Sequence, residues 1–165
     1  MGRDNTTFCY RFDNYVDRIE KHNSGGKADH MKVAGHLVND FKTTTGCIVF
    51  VDTIGEGAGV YSRLLEVFIE DPDLKEQIAN VVSCKFSESA KRSSGTYITD
   101  LTGQYSFVNL RAYCYWSLRE WLDPANGNDA MLPPGGTLKE ELTEIQWSFR
   151  SDGKIIIEPK EDIKK

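Results

Sequence analysis

Cys47-Ile48-Val49-Phe50-Val51-Asp52 is a run of five apolar residues ending in a carboxylate, and Thr53-Ile54-Gly55-Glu56-Gly57-Ala58-Gly59 follows it directly. A run without polar alternation suits a strand covered on both faces, as in α/β sheets. Val60, Leu64, Val67 and Phe68 then fall at helical spacing, so the stretch reads as strand, glycine turn and helix. A short helical piece through Leu74 and Ile78 is expected after Pro72, and Asn80–Phe86 reads as a second buried-type strand. Upstream, Met31, Ala34, Leu37, Val38 and Phe41 form the stripe of an amphipathic helix, with Gly46 expected to end it as a left-handed cap. Asn23–Gly26 is a loop. Further back, Thr6–Phe12 and Tyr15–Ile19 flank Asp13-Asn14, a dipeptide that tolerates the positive φ of a hairpin turn. Strands and helices alternate, which is the order of an α/β fold.

The second half is more polar. Ser87–Gln104 is a long polar stretch with a basic knot at Lys91-Arg92, and a loop of that length inside a domain is usually functional or mobile. Phe107, Leu110, Cys114, Leu118 and Trp121 mark the next helix, and Pro124–Gly136 is loop. Thr137-Leu138-Lys139-Glu140 has the form of a capping box opening a short helix. A final hairpin joins Ile145–Arg150 to Lys154–Glu158 through Ser151-Asp152-Gly153. Pro159 stops the last strand, and Glu161–Lys165 reads as the start of a helix.

The 165 residues suggest one domain, large enough to bury about 70 % of its unfolded surface. Twenty Lys+Arg against 25 Asp+Glu leave a net charge of −5, which argues against gripping nucleic acid by bulk charge while allowing a local basic patch. No apolar run approaches the roughly 18 residues of a membrane span, and the N-terminus has no signal-peptide core. Cys9, Cys47, Cys84 and Cys114 stand apart in apolar contexts, so neither a zinc knuckle nor a disulfide framework is indicated and a reduced, intracellular chain is expected.

Asp52 is the sharpest candidate for chemistry. A carboxylate at the C-terminal end of a buried strand lies where α/β sheets bind ligands, and two-metal hydrolases take hard oxygen ligands from such ends. The plainer alternative is that Asp52 caps the following turn. Gly55–Gly59 opens a helix and could face an anion, but it has neither the Lys-Ser/Thr of a phosphate loop nor the full dinucleotide fingerprint, so close packing is the simpler account. His30 and His36, six apart, are not a metal pair. Trp116, Trp121, Tyr113 and Tyr115 read as core or groove lining rather than a base-stacking row. Lys85, Lys91 and Arg92 are the candidate phosphate contacts, with a solvated basic surface as the equal alternative.

Three stretches taken together resemble the nuclease domain of phage terminase large subunits. They are Ile48–Leu64 with its Asp52, Gly55-Glu56-Gly57 and Arg63-Leu64; Asn109-Leu110-Arg111-Ala112 with Tyr115-Trp116 and Leu118-Arg119; and Gly153–Lys165. The opening Gly2-Arg3-Asp4-Asn5-Thr6 is similar to the hairpin that follows the family's first acidic strand. Tyr113 departs from the acidic residue expected there, so that helix is assigned no catalytic role. The resemblance implies a ribonuclease H-like mixed sheet flanked by helices, with three or four acidic residues holding two Mg or Mn ions. Asp52 matches the central acid. The first acid belongs to a central strand just before the matched segment, and the last to a helix just after it. The chain is therefore expected to be an incomplete domain lacking that strand, with little or no nuclease activity alone.

The implied function is cutting double-stranded DNA during genome packaging in the bacterial cytoplasm. The implied partners are a terminase ATPase domain, a small subunit and a portal. Two other readings stand beside it. One is a non-catalytic DNA- or portal-binding assembly module on the same fold; the other is a small nucleotide-binding domain using Gly55–Gly59.

Overall fold

A computed structural model provides the fold, and the structure describes residues 5–23 and 29–159. The chain divides into two compact units, one built from residues 23–86 and the other joining residues 6–22 to the stretch from Ser87 onward.

In the first unit, helix α1 spans His30–Thr43, with Asp29 as N-cap. The Asp29 carboxylate accepts the Lys32 N–H at 3.0 Å, satisfying one of the orphan donors of the first turn. Ala34, Leu37 and Phe41 of the expected stripe are buried, but Met31 in the first turn is 60 % exposed. The helix ends at Thr44 in extended conformation. Gly46 does have positive φ (75°), yet it lies two residues beyond that cap, in the turn leading to the strand. Strand β3 (Val49–Asp52) pairs parallel with β4 (Val81–Cys84), Val49 opposite Val81 and Asp52 opposite Cys84. Between them come α2 (Gly57–Glu70) and a 3-10 turn, Lys75–Asn80.

Val60, Leu64 and Phe68 of α2 are buried, with Phe68 edge-on to Phe41 of α1 at 4.8 Å between centroids. Lys42 and Asp71 close the far ends of the two helices at 2.7 Å. The expectation of a strand covered on both faces is not met. α2 packs on the pair while Phe50, whose side chain points the opposite way from Val51, is 67 % exposed, because no described element covers that face.

In the second unit, β1 (Thr6–Phe12) and β2 (Tyr15–His22) form the expected antiparallel hairpin, with Asp13 at φ 48° in its turn. Helix α3 (Leu110–Leu122) is capped by Asn109, whose side-chain oxygen accepts the Ala112 N–H at 2.9 Å. Phe107, expected within this helix, precedes it. It is fully buried and forms a parallel bridge with Ile155. Strands β5 (Trp147–Phe149) and β6 (Ile155–Ile157) make the last hairpin. Phe107, Ala112, Trp116, Ile155 and Ile157 form one core with Ala90.

The capping box at Thr137 does not form. Helix α4 (Gly136–Thr143) starts from Gly135 without a side-chain cap, placing Thr137 inside the first turn where its hydroxyl cannot serve as N-cap. The long polar stretch is an ordered set of turns. Ile98 N–H donates to the Ala90 carbonyl at 2.9 Å, and Asp100 N–H to that of Tyr105 at 2.9 Å. Asp100 is itself buried. Its carboxylate accepts the Tyr105 N–H at 2.9 Å and the Thr102 hydroxyl at 2.5 Å.

Parallel and antiparallel pairing thus both occur, as a mixed α/β fold requires, but among the described residues the strands form three two-stranded sheets rather than one. The edge of β3 away from β4 has no described partner. The expected helix start at Glu161–Lys165 lies outside the described residues. Cys9 and Cys114 are exposed rather than enclosed by apolar neighbours.

Candidate functional site

Asp52 stands at the C-terminal end of β3, the edge at which open α/β sheets take ligands. Its carboxylate is exposed, and Oδ1 accepts the Ile54 N–H at 3.1 Å, so the side chain also shapes the turn. Two bonds fasten the strand ends together: Thr53 N–H donates to the Cys84 carbonyl at 2.9 Å, and the Thr53 and Ser83 hydroxyls share one at 2.7 Å. Burial pushes the Cys84 thiol up, and the Asp52 charge adds to that shift.

The glycines of the turn are explained by close approach. A Cβ on Gly57 would lie 1.7 Å from the Asp52 carbonyl oxygen, and one on Gly59 would lie 2.4 Å from Nδ1 of His30. The His30 ring therefore occupies the space beside Gly59 that any larger side chain would need. Its Nε2 meets Oε2 of Glu56 at 2.9 Å. His36 faces Asp40 at 3.7 Å, one turn along the same helix, and the two histidines are not brought together.

A pair of divalent ions requires several hard oxygen donors. Among the described residues, no group of three or more His, Cys, Asp or Glu side chains is gathered to hold a metal. At this sheet edge the register partner of Asp52 is a thiol, Cys84. The described donor set does not fit two Mg or Mn ions. Asp4, the acid nearest in sequence to the hairpin opening, lies outside the described residues.

The basic candidates fall in different units. Lys85 belongs to the first unit, and Lys91 and Arg92 to the second. Arg92 N–H donates to the Thr96 carbonyl at 2.8 Å, closing a turn in which Lys91 bridges Tyr97. Lys91 Nζ lies 4.8 Å from the Tyr97 ring centroid and Lys154 Nζ lies 3.8 Å from it. Arg150, beside them on the hairpin, is bound by Asp152. Sequence reading missed Tyr97, Arg150 and Lys154 because only tertiary folding brings the hairpin turn to the polar stretch.

The aromatic residues of α3 follow the core reading. Trp116 is buried beside Phe107, Tyr113 packs on the same Phe107, and Trp121 lies under the Arg11 guanidinium at 4.7 Å. No helix among the described residues is long and apolar enough to cross a membrane.

The mixed α/β fold of this chain is shared by solved structures. The nuclease domain of the large terminase subunit gp2 of bacterial virus Sf6 superposes with a TM-score of 0.64 at 22 % identity, covering 99 % of this chain and 75 % of that one. A mutant of the same domain solved with manganese and beta-thujaplicinol gives a TM-score of 0.61 at 20 % identity, again over 99 % and 75 %. A mutant solved with calcium gives 0.64 at 21 % identity over 98 % and 74 %. The chain therefore has the ribonuclease H-like fold of terminase nuclease domains. No protein-family profile matches it, and no curated protein does.

Proposed function

We propose that this chain is the nuclease module of a phage-type large terminase subunit, and that its two units work as one domain. The observation that carries the reading is the superposition over 99 % of the chain with Asp52 at the C-terminal end of a parallel strand. In this reading the substrate is double-stranded DNA, cut during genome packaging in the cytoplasm of a bacterial host. A terminase ATPase domain, a small subunit and the portal are its partners. Asp52 supplies one ligand of a Mg or Mn site whose other carboxylates lie outside the described residues. The described donor set does not by itself hold two ions, so weak cleavage or none is the expected behaviour. Lys85, Lys91 and Arg92 contribute contacts to the DNA backbone, where charge supplies affinity with little base reading.

The test is supercoiled-plasmid cleavage with Mn²⁺. It compares the 165-residue chain with Asp52 intact and as Asp52→Ala, and titration calorimetry follows Mn²⁺ binding by each. Weak cleavage that Asp52→Ala abolishes, with Mn²⁺ binding weakened by the same change, is expected. Cleavage or Mn²⁺ binding that Asp52→Ala leaves unaffected, or no Mn²⁺ binding at all, would overturn the nuclease reading.

One observation favours a second reading, a non-catalytic DNA- or portal-binding module: the Asp52 carboxylate is already engaged by the Ile54 N–H. That module would bind DNA independently of metal, and Asp52→Ala would leave binding unchanged.

A further inference from the structure

Tyr97 is an exposed ring flanked by two lysines from distant parts of the chain. Lys91 arrives from the polar stretch and Lys154 from the last hairpin, both within cation–π range of the same ring. Arg150 stands on the same hairpin, its guanidinium forked onto Asp152. Asp152 also lies 3.7 Å from Lys154. Among the described residues it is the one carboxylate within ion-pair distance of these groups, and Lys91 has none. Three cations are thus answered by a single acid, on a chain whose net charge is −5. Arg18, elsewhere in the same unit, is by contrast held between Asp17 and Glu20.

An uncompensated cationic cluster around a phenol matches the chemistry of a phosphodiester backbone. Lysine and arginine neutralise phosphates, and a tyrosine hydroxyl donates to their oxygens. The cluster sits on two tight turns, Arg92–Thr96 and Arg150–Lys154, each closed by backbone bonds. Such turns hold the positive groups in place without a deep pocket, which suits the convex surface of a duplex rather than a small ligand. The Tyr97 hydroxyl is held below its ordinary pKa by the Lys154 hydrogen bond first, then by the charges of Lys154 and Lys91. That shift is a further sign of positive potential at the ring.

We propose that Lys91, Tyr97, Arg150 and Lys154 form a contact surface for the phosphate backbone of double-stranded DNA. The inference rests on the DNA reading above and adds to it the hairpin residues, which sequence proximity could not supply. Lys91 and Lys154 each neutralise a phosphate; Tyr97 orients between them; Arg150, already shared with Asp152, contributes least.

The experiment measures binding of the whole chain to a duplex of about 30 base pairs by fluorescence anisotropy, without divalent metal, between about 50 and 200 mM salt. Removing one phosphate-neutralising cation lowers the slope of log K against log salt by about 0.9. The Lys91→Gln/Lys154→Gln variant is therefore expected to have a slope shallower by about 1.8. Across that fourfold salt range its disadvantage relative to the parent shrinks about twelvefold. Lys91→Arg/Lys154→Arg should restore the parental slope, and Arg18→Gln, which removes a charge elsewhere on the same unit, should leave it unchanged. Tyr97→Phe should weaken binding while keeping the slope. Thermal melting of each variant reports folding, and the charge-keeping pair separates a folding defect from the absence of a phosphate interaction.

A parent that binds duplex with a slope the glutamine pair does not alter would overturn this inference and leave the DNA reading intact. A parent that fails to bind duplex at any salt would overturn both.

Discussion

Replacing Gly57 by alanine should destabilise the chain, although alanine is the better helix former. The added methyl would lie 1.7 Å from the Asp52 carbonyl oxygen and 2.9 Å from its carbon. Non-bonded heavy atoms rest at roughly 3.5 Å, so the start of α2 must withdraw from the end of β3 by about 1.5 Å or more. The obstacle is backbone, which cannot swing aside as a side-chain tip would. Overpacking of this kind costs about 1–3 kcal/mol, against which alanine returns about 0.5–1 kcal/mol of backbone entropy and propensity. The expected net loss is about 1 kcal/mol, or roughly 2–4 °C in Tm for a chain of this size.

Gly35 provides the matched comparison. It lies in the middle of α1, is exposed, and has nothing within 4 Å of its would-be Cβ. Gly35→Ala should therefore stabilise by about 0.5–1 kcal/mol. Urea titrations of the two variants, followed by circular dichroism, should move the midpoint in opposite directions. A Gly57→Ala variant as stable as Gly35→Ala would refute the close approach of α2 to β3. The account of how Asp52 is positioned would fall with it.

Asn109→Ala should cost about 1 kcal/mol by leaving the Ala112 N–H uncapped, while Asn109→Asp should retain most of the stability; thermal melts decide. Phe68→Ala removes a fully buried ring packed on Phe41 and should cost about 3–5 kcal/mol in a urea titration. Burial pushes the Asp100 carboxyl up, but hydrogen bonds from the Thr102 hydroxyl and from the N–H groups of Tyr105, Thr102 and Gln104 outweigh it, and the net shift is downward. A carboxyl depressed on folding stabilises fully above its unfolded pKa of about 3.9 and loses that contribution as pH falls through the folded value. Asp100→Asn should therefore cost roughly 1–2 kcal/mol near pH 7, and its gap from the parent should narrow below about pH 4. A gap that stays constant down to about pH 2 would show that the charge is not what the turn uses.

Short-range features were legible in the sequence because neighbouring residues decide them. The Asp13-Asn14 turn needs only a residue that tolerates positive φ, and Asp13 adopts it. The α2 stripe of Val60, Leu64 and Phe68 is a consequence of helical period, and all three are buried. An apolar run followed by an acid placed Asp52 at a strand end. The order of these motifs along the chain also pointed to the fold that the superposition shows.

Other features depended on residues far away in sequence. Whether Phe50 is covered depends on what packs against its face of the strand pair, and an apolar run looks the same either way. The Thr137 box failed because the chain turns into its helix at Gly135, and the path of the loop, not the tetrapeptide, selects the N-cap. Gly57 and Gly59 read as a tight turn in the sequence, but only the fold shows that the Asp52 carbonyl and the His30 ring fill the space beside them. Lys91 and Lys154, far apart in the chain, meet at Tyr97 only after the last hairpin docks. Local sequence determined which elements form and where Asp52 stands. Only the tertiary structure decided which surfaces stay open and which charges share one ring, because burial and electrostatic potential are sums over neighbours that the chain brings together by folding.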